Sequence, residues 1–300
     1  ESEDNEATWA FLDARIENVM QFEKFKAQLK PVGESMQSAL GVAARFRPRN
    51  DIEVEGRKLC GTGGFFDGKR FVEPVNYNFE HKKLFPGEIG PATGEMGTAM
   101  FWGAPNRIFR QTLLKMAPRL AAEGYVGYID LNCIVNGQGI YPLEFTARFG
   151  YPTIFIQQEG MQTPIGQFFH ALANGDDPKL KVKSGYQVGV RIIVPPYPFD
   201  DPGTFASLSK DAVIYFRRPS TDGVHIEDAK LVDGQWLVAG SSGVPLTVVG
   251  TGPTMKAAQQ QAYSRVKNIL IPNMYYRDDI GDRWSEDSDR LFSWGFLRRT

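Results

Sequence analysis

The sequence predicts an α+β protein, in which blocks of strands and helices follow one another along 300 residues. Two observations lead to this class. Short runs of β-branched and aromatic residues between Gly, Asn and Asp turns predict strands over residues 42–75 and 182–250. Apolar residues at helical spacing predict helices over residues 8–40, 105–123 and 254–270. The chain is long enough to bury a sizeable core, as one large domain or two modest ones.

The composition is that of a globular protein, with 42% hydrophobic and 23% charged residues. The 34 basic and 35 acidic residues give a net charge of -1, so there is no basic field of the kind that binds nucleic acid. No apolar run is long enough to span a membrane, and the acidic start is unlike a signal peptide. Cys60 and Cys133, both expected to be structural, fit a reducing compartment. We therefore expect a cytoplasmic protein.

The first half of the chain contains one segment of unusual composition. Residues Leu84 to Gly97 include four glycines and two prolines, which excludes a helix and favours an ordered binding loop. A basic helix is expected after it, over residues 105–123. After Pro152, a helix from Pro164 to Asn174 should end at Gly175.

The second half is predicted to contain several short strands and one clear helix. The strands are Tyr186–Val194, Ala212–Phe216, His225–Ile226, Ala229–Val232 and Leu246–Val249, with a turn at Asp233-Gly234. The helix from Thr254 to Leu270 has Thr254 as its N-cap. We expect a domain boundary near residue 150, a second domain over 151–283, and a tail over 284–300 with the pattern of a docking helix, which could dock internally or onto a partner.

A β-hairpin carries the most informative polar residues. The runs Gly127-Tyr-Ile-Asp-Leu-Asn and Gly139-Ile-Tyr-Pro-Leu-Glu-Phe-Thr-Ala-Arg-Phe-Gly150 are joined by a turn whose residues tolerate positive φ. Antiparallel pairing would bring Asp130 and Glu144 close together, and two carboxylates suit Mg²⁺. Arg148 adds a positive fork suited to phosphate oxygens. The alternative is that these charges form only an ion pair at the end of the strands.

Three segments, in this order, resemble the phosphoribosylamine–glycine ligase family of the ATP-grasp superfamily. The segment Glu80-His-Lys-Lys-Leu-Phe-Pro-Gly-Glu-Ile-Gly-Pro-Ala-Thr-Gly-Glu-Met-Gly97 is similar to the family's Asp-His-Lys-Arg segment and glycine loop. Leu143-Glu-Phe-Thr-Ala-Arg-Phe-Gly150 is similar to Leu-Glu-Phe-Asn-x-Arg-Phe-Gly. The region from Val249 to Tyr276-Arg-Asp-Asp-Ile-Gly281 is similar to the family's C-terminal helix and ending. The resemblance covers roughly residues 42 to 283.

The resemblance implies the C-terminal part of an ATP-grasp module over residues 1–150, followed by a small mixed α/β domain. It implies an ADP-forming ligase of purine biosynthesis that joins glycine to phosphoribosylamine through an acyl phosphate. ATP and Mg²⁺ or Mn²⁺ are the implied cofactors. The implied metal ligands are Asp130, Glu144 and Thr146.

The other roles also follow from the resemblance. Arg148 is the implied contact to nucleotide and transferring phosphoryl, with Lys82 as a second catalytic residue and Glu53 near the nucleotide hinge. Backbone amides in the glycine loop are expected to bind the anionic substrate, next to His81, which has the alternative of a structural role. The loop residues are Thr93, Gly94, Met96 and Gly97.

The sequence departs from the family pattern at the site itself. Thr146 replaces an asparagine, so we expect weaker metal binding there. Tyr151 and Thr153 stand where the family has two acids, and Ala44-Arg-Phe46 replaces its hinge strand. The family's N-terminal domain is not seen before Glu1, and we expect one of two explanations. The chain is a fragment whose N-terminal partner lies on the same parent chain or on a separate chain, or it is a shortened relative.

Three functions therefore remain open from the sequence. The first is the glycine ligase, and the second is an ATP-grasp ligase for a different carboxylate and amine. The third is a degenerate nucleotide-binding module without catalysis. The glycine loop, Asp130, Glu144 and Arg148 favour the first two, because a scaffold without catalysis has no physical need for that set.

Overall fold

The computed structural model describes residues 44–47, 51–54 and 60–297. The chain divides into two compact units, Glu1–Lys58 and Leu59–Thr300. In the first unit, strands β1 (Ala44–Arg47) and β2 (Asp51–Val54) pair antiparallel, with Phe46 opposite Ile52. The helices predicted over residues 8–40 lie outside the described residues.

The second unit contains an eight-stranded and a four-stranded antiparallel sheet. The large sheet has the order β10-β13-β8-β5-β4-β3-β6-β7, and the small sheet has the order β11-β12-β9-β14. The strands are β3 (Cys60–Asp67), β4 (Val75–Phe85), β5 (Ile89–Gly103), β6 (Val126–Asn136), β7 (Gly139–Thr146), β8 (Tyr186–Ile192), β9 (Val213–Phe216), β10 (Val224–Ile226), β11 (Ala229–Val232), β12 (Gln235–Val238), β13 (Leu246–Gly252) and β14 (Ile269–Leu270).

The large sheet continues across the domain boundary that the sequence predicted near residue 150. Strand β8 pairs directly with β5, with Gly189 opposite Thr98 and Val188 opposite Ala99. Backbone pairing between segments 90 residues apart joins the two predicted domains into one sheet. Within the described residues, the chain therefore does not separate at residue 150, and the division between compact units falls at Lys58 and Leu59.

Seven α-helices are described, and they lie between or beside the strands. They are α1 (Arg107–Gln111), α2 (Leu113–Ala122), α3 (Thr153–Gly160), α4 (Ile165–Asn174), α5 (Pro202–Leu208), α6 (Met255–Val266) and α7 (Trp284–Ser293). The helix α4 ends at Gly175 in the left-handed conformation, as predicted. Thr254 caps α6 by accepting a hydrogen bond from the Ala257 amide, which confirms the predicted N-cap.

Several boundaries differ from the predictions. The single helix expected over 105–123 is broken into two helices at Thr112. The Thr112 hydroxyl donates to the Ile108 carbonyl at 2.7 Å, a side-chain bond to the preceding turn that is typical of bends in helices. The helix expected to reach Leu270 ends at Val266, because Ile269 and Leu270 pair with β9 as an edge strand. The helices α3 and α5 and the strand β12 were not predicted.

The glycine-rich segment Leu84 to Gly97 is mainly strand, so the prediction of a loop was wrong. Only Pro86–Glu88 forms a turn, a short 3-10 helix, and β5 starts immediately after it at Ile89. The β4–β5 ladder extends to the pair Phe85 and Ile89, with register shifts on both sides of Lys83. These register shifts allow the β4–β5 ladder to accommodate the glycines and prolines of the segment.

The C-terminal tail packs on the sheet, as the docking-helix prediction expected. The indole of Trp284 contacts the rings of Phe79, Phe101 and Tyr186, with centroids 5.1, 5.6 and 5.3 Å away. These residues lie on the three central strands β4, β5 and β8, so α7 covers the middle of the sheet. None of the helices in the described residues has the length and apolar character needed to cross a membrane.

Candidate active site

The β6–β7 hairpin forms as predicted and places four polar side chains on one face of the sheet. Asp130 is opposite Thr146, and Asn132 is opposite Glu144. Cross-strand partners share a face, and so do alternate residues of one strand, so all four side chains project from the same side. The Asn132 side-chain amide donates to Glu144 Oε1 at 3.2 Å. The hairpin therefore brings together the three predicted metal ligands and adds Asn132.

The turn of this hairpin is stabilised differently from the prediction. Neither Gly137 nor Gly139 has a positive φ. Instead, the Asn136 side-chain oxygen accepts hydrogen bonds from the backbone amides of Gln138 at 2.9 Å and Gly139 at 3.1 Å. An asparagine side chain can replace a backbone carbonyl in a turn in this way, which fixes the register of the two strands.

Two glycines of β3 make room for side chains from the neighbouring strands. A Cβ on Gly61 would lie 1.8 Å from Asn78 Oδ1 and 3.3 Å from Asn132 Oδ1. A Cβ on Gly63 would lie 2.0 Å from the Tyr128 hydroxyl. A side chain at either position would require these groups to move, because the distances are too short for a contact. The strand β3 therefore forms the floor of the polar face.

The strand β4 adds asparagines that the sequence analysis did not identify. Asn76 and Asn78 are fully buried and lie opposite Gly63 and Gly61. The Asn78 side-chain nitrogen and oxygen have no hydrogen-bond partner in the described structure, and neither have Asn76 Oδ1 and Asn132 Oδ1. Buried amide groups without partners are uncommon and call for an explanation. The available signal was the alternation of polar and aromatic residues in Asn76-Tyr-Asn-Phe-Glu80.

Lys82 lies near this face through its neighbour Glu80. The Lys82 ammonium is 3.3 Å from Glu80 Oε2, and about a fifth of the Lys82 side chain is exposed. Residues two apart on a strand point to the same side, which places Glu80 on the face of Asn78. The structure thus brings Lys82 towards the candidate site, and its catalytic role stays a prediction.

Tyr128 lies on the same face beside Asp130 and is anchored by a helix. Its hydroxyl accepts a hydrogen bond from the Gln157 side chain of α3 at 2.8 Å. Burial raises the pKa of Tyr128 well above its usual range, and the nearby charge of Asp130 raises the pKa further. The phenol therefore stays protonated beside the carboxylate.

Arg148 follows β7 and is exposed. Its guanidinium donates to the Phe149 carbonyl at 3.0 Å. Thr146 and Arg148 are two residues apart, but β7 ends at Thr146, so strand geometry no longer fixes the side of the sheet that Arg148 faces. Its contact with nucleotide or phosphoryl stays a prediction.

The predicted substrate-binding residues of the glycine segment have different surroundings. The Thr93 hydroxyl donates to the Lys82 carbonyl at 2.7 Å, which links the two strands of the hairpin. Met96 is fully buried in a small core cluster. A Cβ on Gly97 would lie 2.5 Å from the Gly189 carbonyl, so this glycine allows close strand packing. A Cβ on Gly94 would meet nothing within 4 Å. Anion binding by their amides stays a prediction.

His81 lies in a buried ionic environment, away from the polar face. The pKa of His81 is lowered to about 3, chiefly because burial disfavours the imidazolium, and also because Arg283 and Arg277 lie nearby. Asp279 acts in the opposite direction. The neutral ring is only 2% exposed. These surroundings favour the structural role for His81 over substrate binding.

The Arg277-Asp-Asp279 sequence, part of the segment that carried the resemblance, fastens the tip of the β4–β5 hairpin. Arg277 is fully buried, donates to the Lys83 carbonyl at 2.9 Å and pairs with Glu88 at 2.9 Å. It also pairs with Asp279 at 2.7 Å, and Asp279 accepts from the Gly87 amide at 3.0 Å. This part of the motif is structural, since each of these contacts is internal.

Glu53 lies in β2, opposite Arg45. Its side chain lies outside the described part of the structure. Nucleotide binding by Glu53 therefore stays a prediction.

Comparison with known proteins shows which family the chain resembles. Residues 202–283 match the family model described as phosphoribosylglycinamide synthetase, C domain. The chain is 28% identical over 226 residues to the phosphoribosylamine–glycine ligase of Mycobacterium bovis, and 28% identical over 275 residues to that of Leifsonia xyli. The chain is thus similar to phosphoribosylamine–glycine ligases over 72–84% of its length. The matched region of the family model includes the small sheet, α6 and the Arg277 motif.

A solved structure has a similar fold. The phosphoribosylamine–glycine ligase of Thermotoga maritima superposes with a TM-score of 0.57 at 22% identity, over 73% of this chain and 55% of that chain. The alignment with the Mycobacterium bovis relative covers 72% of this chain and 51% of the relative, and the Leifsonia xyli alignment covers 84% and 63%. The chain thus spans about half to two thirds of the length of these relatives.

The side chains of the polar face fit a magnesium ion. Magnesium takes oxygen ligands and is usually held by one or two carboxylates, with water or substrate oxygens completing its shell. Asp130 and Glu144 supply the carboxylates, Thr146 adds a neutral oxygen on the same face, and Asn132 holds Glu144 through its side-chain nitrogen. No group of three or more His, Cys, Asp or Glu side chains is placed to hold a metal within the described residues. A site here would therefore depend on two carboxylates.

Proposed function

We propose that this chain is part of an ATP-dependent carboxylate–amine ligase that joins glycine to phosphoribosylamine through an acyl phosphate. The observation that carries the proposal is the shared face of Asp130, Glu144 and Thr146, completed by Asn132. This face lies in a chain that is 28% identical over 226 residues to a phosphoribosylamine–glycine ligase. The relatives carry the name of the reaction, and the polar face supplies groups that this reaction requires.

Each residue has a physical task in this reaction. A carboxylate must become a better electrophile before an amine attacks it, and phosphoryl transfer from ATP achieves this. Mg²⁺ bound by Asp130 and Glu144 would neutralise phosphate oxygens. Asn132 orients Glu144 through its 3.2 Å hydrogen bond. Arg148, as a flexible exposed cation, is suited to reach the phosphoryl group, and Lys82 is suited to neutralise charge beside it.

A second candidate function is ligation of a different carboxylate and amine. The residues that favour it are Thr146, Tyr151 and Thr153, which replace the amide and the acids expected from the family pattern. The Tyr151 side chain is 56% exposed, and its ring contacts the Phe155 ring, with the two ring centroids 5.6 Å apart. Thr153 is buried at the start of α3. An aromatic and a neutral residue in place of two acids remove negative charge, so the substrates near α3 can differ.

The deciding experiment measures ADP release with Mg²⁺, ATP, glycine and phosphoribosylamine, omitting each component in turn. If the protein is the glycine ligase, ADP release depends on all four components. Release with ATP and another carboxylate, but not with glycine, would favour the second function. No ATP binding by the full chain would contradict both.

The metal assignment is tested with Glu144→Gln. This variant removes one carboxylate charge and retains the shape, so turnover should fall by at least about a hundredfold, equivalent to about 2.7 kcal/mol. The matched control is Glu123→Gln, because Glu123 is an exposed carboxylate that pairs with Arg119 at 2.7 Å. Equal activity in the two variants would remove Glu144 from the site.

A further inference from the structure

We propose that the side-chain amides of Asn78 and Asn132, above Gly61, bind the amino group of the amine substrate. This inference rests on the proposed ligase function and adds to it a subsite for the nucleophile. Neither asparagine was identified by the sequence analysis, and neither lies in the matched region of the family model.

The first argument is the number of buried polar atoms without partners. Asn78 is fully buried, yet its side-chain oxygen and nitrogen have no hydrogen bond in the described structure. The Asn132 oxygen is also without a partner, while its nitrogen is occupied by Glu144. Leaving a buried polar group unsatisfied is unfavourable, so a ligand that bonds to these atoms gains stabilisation.

The second argument is the convergence of the two side-chain amides above β3. The Asn78 and Asn132 oxygens lie 1.8 and 3.3 Å from the point where a Cβ of Gly61 would be, so both amides approach the same backbone position. Glycine at this position lets the two amide oxygens meet above the sheet. A small group can then contact both oxygens at once.

The third argument concerns the sign of the ligand. Among the three asparagines of this face, the atoms without partners are the side-chain oxygens of Asn76, Asn78 and Asn132 and the side-chain nitrogen of Asn78. The carboxylates of Asp130 and Glu144 project from the same face. A face with many acceptors and negative charge repels anions and binds hydrogen-bond donors or cations. A primary amine provides N–H donors in a group small enough for this position.

This arrangement also suits the chemistry of a nucleophile. A neutral primary amine that donates its two hydrogens to two carbonyl oxygens keeps its lone pair free. The lone pair can then attack the carbonyl carbon of the acyl phosphate; the C–N bond forms as the bond from carbon to the phosphate oxygen breaks, and the departing phosphate takes up one proton of the amine. Asn78 and Asn132 are therefore specificity residues for the amine, while Glu144 and Asp130 are assigned to the metal.

The test is an NMR titration of the full chain with methylammonium chloride, following the side-chain amide resonances of Asn78 and Asn132. We expect saturable shifts with methylammonium and none with tetramethylammonium, which has no N–H donor. Asn78→Leu should weaken methylammonium binding at least tenfold. Gln187→Leu is the matched control, since Gln187 is a buried amide without partners that lies against Gly160 of α3, and it should bind like the unmodified chain.

Two further results decide the proposal. Asn78→Asp retains the shape of the side chain and adds negative charge, so it should bind methylammonium more tightly even if Asn78→Leu fails to fold. Unchanged binding in Asn78→Asp would contradict the subsite. Shifts that appear with MgCl₂ but not with methylammonium would show a metal site and would also overturn it. Because the titration contains no ATP, its outcome is independent of whether glycine and phosphoribosylamine are ligated.

Discussion

The indole of Trp294 lies against Gly137, in the turn of the hairpin that carries Asp130 and Glu144. A Cβ on Gly137 would be 3.1 Å from Trp294 Nε1. The same segment is fixed at its other side, because the Arg107 guanidinium donates to the Trp294 carbonyl at 3.4 Å and lies 4.7 Å above the Phe296 ring. The family model ends at residue 283, so this contact lies beyond its match. The C-terminal tail therefore packs against the turn of the hairpin that carries the candidate site.

Replacing Trp294 by alanine should loosen the hairpin turn. The side chain is half-buried, so we expect a loss of about 1–3 kcal/mol in the free energy of unfolding, below the 3–5 kcal/mol of a fully buried tryptophan. Hydrogen exchange should become faster at residues 134–141. The control is Phe199→Ala, because Phe199 is 65% exposed and its removal should change neither measurement. Faster exchange throughout the sheet, rather than at the turn, would contradict a local role.

Arg277 should be among the most sensitive positions of the chain. Arg277→Met leaves the carboxylates of Glu88 and Asp279 without their buried partner, and breaking a buried ion pair in this way costs roughly 3–5 kcal/mol. Chemical denaturation measures the loss. Arg290→Met removes an exposed pair with Glu286 and should cost less than about 1 kcal/mol. Similar losses of unfolding free energy in both variants would show that burial of the Arg277 ion pairs does not increase their contribution to stability.

The sequence predicted the elements whose signals are local. Alternation and turn residues were sufficient for the β6–β7 hairpin, and Thr254 and Gly175 marked the start and end of helices. The pairing of β5 with β8 was not predictable, because it joins distant segments and depends on the packing of Gly97 against Gly189. This pairing removed the boundary expected at residue 150.

The same distinction applies to the candidate site. Asp130 and Glu144 lie on one hairpin, so their shared face followed from the sequence. Asn78 joins them only through the register between β3 and β4, which places it opposite Gly61. A single sequence does not contain that register, since it depends on which strands become neighbours and on the space above a glycine.

The protein should become less stable as the pH falls, because of His81. Its pKa in the folded state is about 3, below the 6.5 of an unperturbed histidine. As the pH falls below 6.5, the unfolded chain binds a proton that the folded chain does not, so His81 lowers the free energy of unfolding by up to about 1.4 kcal/mol per pH unit. The lowered pKa of Asp279 acts in the same direction, but only below its ordinary value of 3.8.

The variant His81→Gln isolates this contribution. It should flatten the dependence of unfolding free energy on pH between 6.5 and 4, measured by urea denaturation at a series of pH values. His170→Gln is the control, since His170 is exposed and its variant should retain the slope of the unmodified chain. An unchanged slope in His81→Gln would show that the buried imidazole is not the group responsible.

Thr146 is the position at which metal affinity should be adjustable. It lies opposite Asp130, and its single hydroxyl is a weaker oxygen donor than the carboxamide that the family pattern has there. Thr146→Asn should therefore strengthen binding of Mn²⁺, used as a spectroscopic substitute for Mg²⁺, by about tenfold, equivalent to about 1.4 kcal/mol. Thr221→Asn makes the same change at an exposed position and should leave the affinity unaltered. Electron paramagnetic resonance of free Mn²⁺ measures both without turnover. If Thr146→Asn binds no more tightly than the unmodified chain, Thr146 does not face the metal, and the ligand set reduces to Asp130 and Glu144.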